Sequence, residues 1–154
     1  METNQRHYLE QECMPLISDL PADTIPRWGK MNAQQMVEHV AAFFRISSGA
    51  LVLPLLTPEE HLPKYKEFIF SDKQFRENTK APAAIVPDEP LPASFATMQE
   101  SLDDLQEQID AFFRHFSNDN TITTVHPVFG PLNLDEWIRL HYKHVTHHWR
   151  QFGR

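Results

Sequence analysis

Apolar residues recur at intervals of three and four in four stretches of this chain, the spacing of amphipathic helices. The first runs from about Thr3 to Leu20, with Tyr8, Leu9, Cys13, Leu16 and Ile17 on one side, and Pro15 should kink or break it. The second begins after Asn32, an N-cap residue with Gln35 three positions on, as in a capping box. It carries Met36, Val40, Phe43 and Ile46 to about Ser48, and Gly49 suits the C′ position. A long third stripe, roughly Ser94 to Phe116, holds Phe95, Met98, Leu102, Leu105, Ile109, Phe112, Phe113 and Phe116. Asn133, with Glu136 three residues later, caps a last helix that should run to about Phe152.

Between these stretches the pattern is weaker. Short helical pieces are expected around Glu59–Phe70. Residues 81–94, APAAIVPDEPLPAS, are too rich in proline for a regular helix and read as an extended crossover. Residues 117–132, SNDNTITTVHPVFGPL, read as a loop. Four amphipathic helices, one reached through a long connection, predict an all-α four-helix bundle. The length of 154 residues fits one domain spanning 1–154.

Composition narrows the function classes. The chain has 4 glycines and 12 prolines, which suits helices with stiff connections better than a turn-rich β fold. A formal net charge of −7 and the lack of any basic run argue against nucleic-acid binding, which needs Lys and Arg to neutralise phosphates. No apolar run approaches a membrane span and the N-terminus does not look like a signal peptide, so a cytoplasmic location is expected. Cys13 is the one cysteine, which leaves no internal disulfide or thiolate zinc site. It is read as a small buried hydrophobe.

The chemistry lies in the histidines. Four of the nine fall within HYKHVTHH, residues 141–148. At about 100° per residue, His141, His144, His148 and Gln151 all fall within about 40° of Trp137 on the last helix. A core helix would place aliphatic residues there, and buried imidazoles need partners. His144 and His148 stand one turn apart, where two imidazoles can share a metal ion. His39, within the apolar arc of the second helix, is the best third ligand. The competing reading is a solvated histidine-rich face, or core histidines bound to carbonyls. The pair is not the zincin His-Glu-x-x-His, because Val145 stands where the glutamate base would be.

The segments RWGKMNAQQMVEHV (27–40) and HPVFGPLNLDEWIRLHYKHVTHHWRQFG (126–153) resemble the DinB-like superfamily, which includes YfiT-type metal-dependent hydrolases. They look like one of its branches of unknown function and cover a little over a quarter of the chain. The resemblance implies a four-helix bundle and a divalent transition metal, often nickel or zinc. It implies one histidine ligand from the second main helix, matching His39, and two from the last, matching His144 and His148. His147 and Gln151 also fall on familiar positions, whereas the roles of His141 and His126 stay open.

Three imidazoles leave a coordination position free, the mark of a catalytic site. A small metalloenzyme follows as the first expectation: a hydrolase, or an S-transferase using a low-molecular-weight thiol, both found among superfamily relatives. His147, Gln151, His141, His126 and Glu38 are candidates for orienting a ligand or bound water, and Glu38 also for a general base, although its place 100° round the helix favours a solvated surface charge. Arg27, Trp28 and His126 can line the pocket mouth, but helix-entry packing is the preferred reading for Trp28 and for Phe129 as hydrophobic plugs, and His126 is equally a ligand-orienting group or a loop hydrogen-bond donor. The rival expectation is a non-catalytic metal- or ligand-carrying bundle with a role in stress. A homodimer is expected from the bundle type.

Overall fold

Polar residues at the predicted helix starts do act as caps. In the computed structural model, which describes residues 2–154, Asn32 Oδ1 accepts from Gln35 N and Gln35 Oε1 from Asn32 N, both at 2.9 Å. This box opens α2, Ala33–Ser47, which ends ahead of Gly49 at φ +80°. Asn133 and Glu136 form the same reciprocal pair at 3.0 Å and open α5, Leu134–Gln151. Each box satisfies two helix-end donors that would otherwise lack partners.

The N-terminal stripe is helical only in part. Helix α1, Glu2–His7, passes into a π-helical turn over Tyr8–Glu12, and residues 13–19 continue as turns. The ring of Pro15 excludes the carbonyl four residues earlier, which lies in that widened turn. Leu9, Cys13 and Ile17 still share one buried face. Trp149 Nε1 donates to Cys13 O at 2.8 Å, fastening this segment to α5.

The predicted pieces at 59–70 form a 3₁₀ turn, Glu59–His61, leading into α3, Leu62–Phe70. Helix α4 spans Met98–Ser117, starting later than its apolar stripe suggested. The Glu38 carboxylate accepts the N–H groups of Ser94 and Phe95 at 2.7 and 3.4 Å, and Thr97 Oγ1 caps the helix at Glu100 N. Residues 71–97 contain no regular element. Their path is held at both ends. Lys143 on α5 donates to the carbonyls of Ser71 and Lys73, while Gln35 donates to Leu91 O at 2.9 Å.

The loop expected over 117–132 contains a small sheet, so the fold is mostly helical rather than all-α. Strands β1, Thr124–His126, and β2, Gly130–Leu132, pair antiparallel with Val125 opposite Pro131. His126 Nδ1 accepts from Val128 N at 3.0 Å and Phe129 N at 3.3 Å, closing the turn, and Gly130 supplies φ +83°. Thr124 Oγ1 donates to Ser47 O at 2.7 Å, docking the hairpin on the end of α2.

Helices α2 and α4 pack along one another, and α5 packs against α1, α2 and α3. Arg45 Nη2 donates to both carboxylate oxygens of Asp104, at 2.5 and 2.6 Å, linking α2 to α4 over a core that includes Phe44, Phe112, Trp137 and Trp149. Among the described residues no helix is long and apolar enough to cross a membrane.

Candidate metal centre

The α2–α5 packing brings His39 against the His144–His148 turn. Nε2 of His144 lies 3.1 Å from Nε2 of His39 and 3.0 Å from Nε2 of His148. The three rings each offer one ligand nitrogen, all within 4.8 Å of one another. With metal–nitrogen bonds of about 2.0–2.1 Å, two imidazole ligands of one ion stand roughly 3 Å apart.

Proton placement tests whether the trio suits a cation. His148 Nδ1 is 2.7 Å from Gln151 Oε1, and the Gln151 amide nitrogen donates to Trp28 O at 3.3 Å, which fixes the amide orientation. His148 therefore carries its proton on Nδ1 and turns a lone pair on Nε2 inward. His144 Nε2 touches two other ring nitrogens and holds at most one proton, so neutral rings alone leave facing lone pairs poorly satisfied. His144 Nδ1 is also buried without a partner among the described residues. A cation at the convergence point removes the lone-pair conflict. The three histidines thus fit a metal ion.

Electrostatics favour the ligand form. Burial, followed by the positive charge His147 would add, pushes His39 down to about 4. Burial and their neighbouring imidazoles hold His144 and His148 well below the usual histidine range. All three are neutral at physiological pH, as coordination requires. Phe43, one turn after His39, stands 4.7 Å from the His144 ring, and Phe75 stands 6.3 Å from it. These two aromatics wall the site. Phe43 was legible as part of the α2 apolar arc, one turn from His39; Phe75 sits in a stretch with no periodicity to reveal it.

The other candidates separate. Gln151 touches the trio through His148. His147 is 5.2 Å ring to ring from His148, packs on Trp28 and Phe75, and faces a neighbouring pocket. His141 turns into the core: it stacks on Phe44 at 3.8 Å, and its Nε2 lies 2.8 Å from Ser47 Oγ. Ser47 gives its single proton to Phe44 O, so His141 is the donor in that pair. Nothing in the sequence marks Ser47 for this role, since a helix-end serine has no distinctive pattern. His126 serves the hairpin turn, and burial lowers it to about 3. Glu38 is partly exposed and engaged at the start of α4, where its carboxylate accepts from Ser94 N, Phe95 N and, at 2.9 Å, Ser101 Oγ. Phe129 is a buried plug, and Trp28 and Arg27 line the pocket beside the trio. Cys13 is buried, and its thiol is pushed up to about 12 by that burial, which suits packing and not reactivity.

The family model of the DinB superfamily matches residues 5–152. The chain belongs to the DinB superfamily. No curated protein and no solved structure matches it. DinB-like proteins are metal-associated, in keeping with the histidine cluster here. In this DinB superfamily chain residues 27–40 and 126–153 meet in space, through His39 on one segment and His144 and His148 on the other.

Proposed function

We propose that this DinB superfamily protein is a metal-dependent enzyme that activates a small nucleophile, as a hydrolase or a thiol S-transferase. In this reading His39, His144 and His148 are the ligands, zinc or nickel the metal, and a four-helix bundle the scaffold. The bundle is built from the N-terminal helical segment, α2, α4 and α5, with 81–94 as its crossover. The observation that carries the proposal is the convergence of three neutral imidazole nitrogens with no fourth side chain in their group among the described residues. Such a set leaves room for an exogenous ligand.

When bound, the metal would supply the Lewis acidity that makes water or a thiol nucleophilic near neutral pH. The chain's own residues do the positioning. Gln151 accepts the His148 Nδ1 proton and keeps the opposite nitrogen facing inward. Phe43 and Phe75 set aromatic rings beside His144, an apolar surround in which polar contacts gain strength. No carboxylate belongs to the histidine group, and Glu38 is occupied elsewhere, so proton removal does not fall to an acidic side chain among the described residues.

The test is to screen metal-loaded protein against esters, amides and electrophiles paired with low-molecular-weight thiols. Saturable turnover that disappears with the metal supports the proposal. A fully loaded protein that is silent across the panel favours the carrier reading.

A further inference from the structure

Beside the histidine trio lies an open pocket of about 460 Å³ with Arg27, Arg150 and Arg154 in its lining, against Glu77 as the one acidic member. That concentration of positive charge runs against the chain's net charge of −7. Arg154 approaches Asp19 at 3.4 Å, whereas the Arg27 and Arg150 guanidiniums have no carboxylate partner among the described residues. Their placement is built into the fold. Arg27 N donates to Gln151 O at 2.7 Å. Gly153, at φ +74°, lets the Arg27 side chain lie against the helix end, since a Cβ there would sit 2.7 Å from Nη2.

The pocket and the trio share walls. Phe75 lines the pocket and also reaches the His144 ring, and His147 lines it beside His148. Trp28, also in the lining, receives the Gln151 amide proton through its carbonyl, and that same Gln151 orients His148. A molecule seated against the arginines would therefore extend toward the three imidazoles.

We infer that this arginine pocket binds the carboxylate or phosphate group of a small anionic substrate whose reacting end reaches the histidine trio. Planar guanidiniums suit either oxyanion, and an aromatic floor of Trp28 and Phe75 suits the apolar part of such a molecule. The inference rests on the proposed metal centre for the reacting end, but anion capture itself needs no metal.

That independence sets the experiment. Inorganic phosphate and succinate are titrated by calorimetry into metal-free full-length protein, wild type, Arg27→Gln, Arg150→Gln and the control Lys30→Gln. Lys30 is exposed and paired with Glu89. Expected is saturable binding of at least one probe, weakened roughly tenfold or more in each arginine variant and unchanged in the control. Binding should also weaken as salt rises. Phosphate alone or succinate alone identifies which anion the site prefers. The metal content of Arg27→Gln, measured in parallel, should match wild type. A missing metal with intact anion binding would sink the metal centre and spare the pocket. Equal affinities in wild type and both arginine variants, or no saturable binding of either probe, would overturn the inference.

Discussion

Gln151 Oε1 sits 2.7 Å from His148 Nδ1, and this contact decides which nitrogen of His148 faces the other two histidines. The amide is itself held by Trp28 O, so the tautomer of one ring depends on a strap more than a hundred residues away in sequence. Removing the amide frees the ring to rotate and to change tautomer. Gln151→Ala should therefore weaken metal affinity by about 10–100-fold without abolishing it. A chelator competition titration measures this directly, and an unchanged affinity would remove Gln151 from the site.

Glu38 neighbours a proposed ligand in sequence but works on another part of the molecule. Glu38→Ala leaves Ser94 N and Phe95 N without their acceptor and Ser101 Oγ with only the longer contact to Thr97 O. It should cost about 1–3 kcal/mol of stability in urea unfolding. Metal stoichiometry and any turnover per folded molecule should stay at the wild-type level. A specific loss of turnover with stability intact would restore Glu38 as a base.

His141 should behave oppositely to His144, although both lie on the same helix. His141→Ala empties a space between Phe44 and Trp137, where the ring is stacked on both faces. Loss of a fully buried side chain of this size costs roughly 2–5 kcal/mol. The variant should unfold at lower denaturant yet bind a full equivalent of metal. Loss of metal from a folded His141→Ala protein would mean that its ring belongs to the centre.

Acid should destabilise the metal-free protein through the buried histidines. His126 has an ordinary value of 6.5 when unfolded and about 3 when folded, because burial penalises its charged form. Between those values the unfolded chain holds more protons, so stability falls as pH falls. The contribution is fully present above about 6.5 and is lost progressively toward 3, and His39, at about 4, adds in the same direction. Urea midpoints should drop from pH 7 to pH 5, and His126→Asn should flatten that slope. A midpoint insensitive to pH over this interval would contradict the burial of these rings.

How much was legible in the sequence followed from how local each signal was. Both capping boxes are contacts between residues three apart, so Asn32 with Gln35 and Asn133 with Glu136 could be read directly. The pair His144 and His148 follows from the helical period alone. His39 needed only the further inference that its apolar arc faces the last helix. The hairpin was hidden because three-residue strands, with Pro131 in one of them, are too short to express alternation. The late start of α4 has a local signal, Thr97 with Glu100 three residues on, but the apolar stripe extends back past it to Phe95, where Glu38, far away in sequence, holds the chain outside the helix. The split between His141 and His144 was equally out of reach. At about 60° apart around the helix they differ in neighbours along its axis, and Ser47 and Phe44 wait only at one level.

The metal content of untagged protein, measured by elemental analysis beside His144→Ala and His148→Ala, decides whether these rings hold an ion. The expected result is one equivalent of a divalent transition metal in the wild type, and none in either variant, with helical circular dichroism preserved. A full equivalent retained by both variants would contradict it.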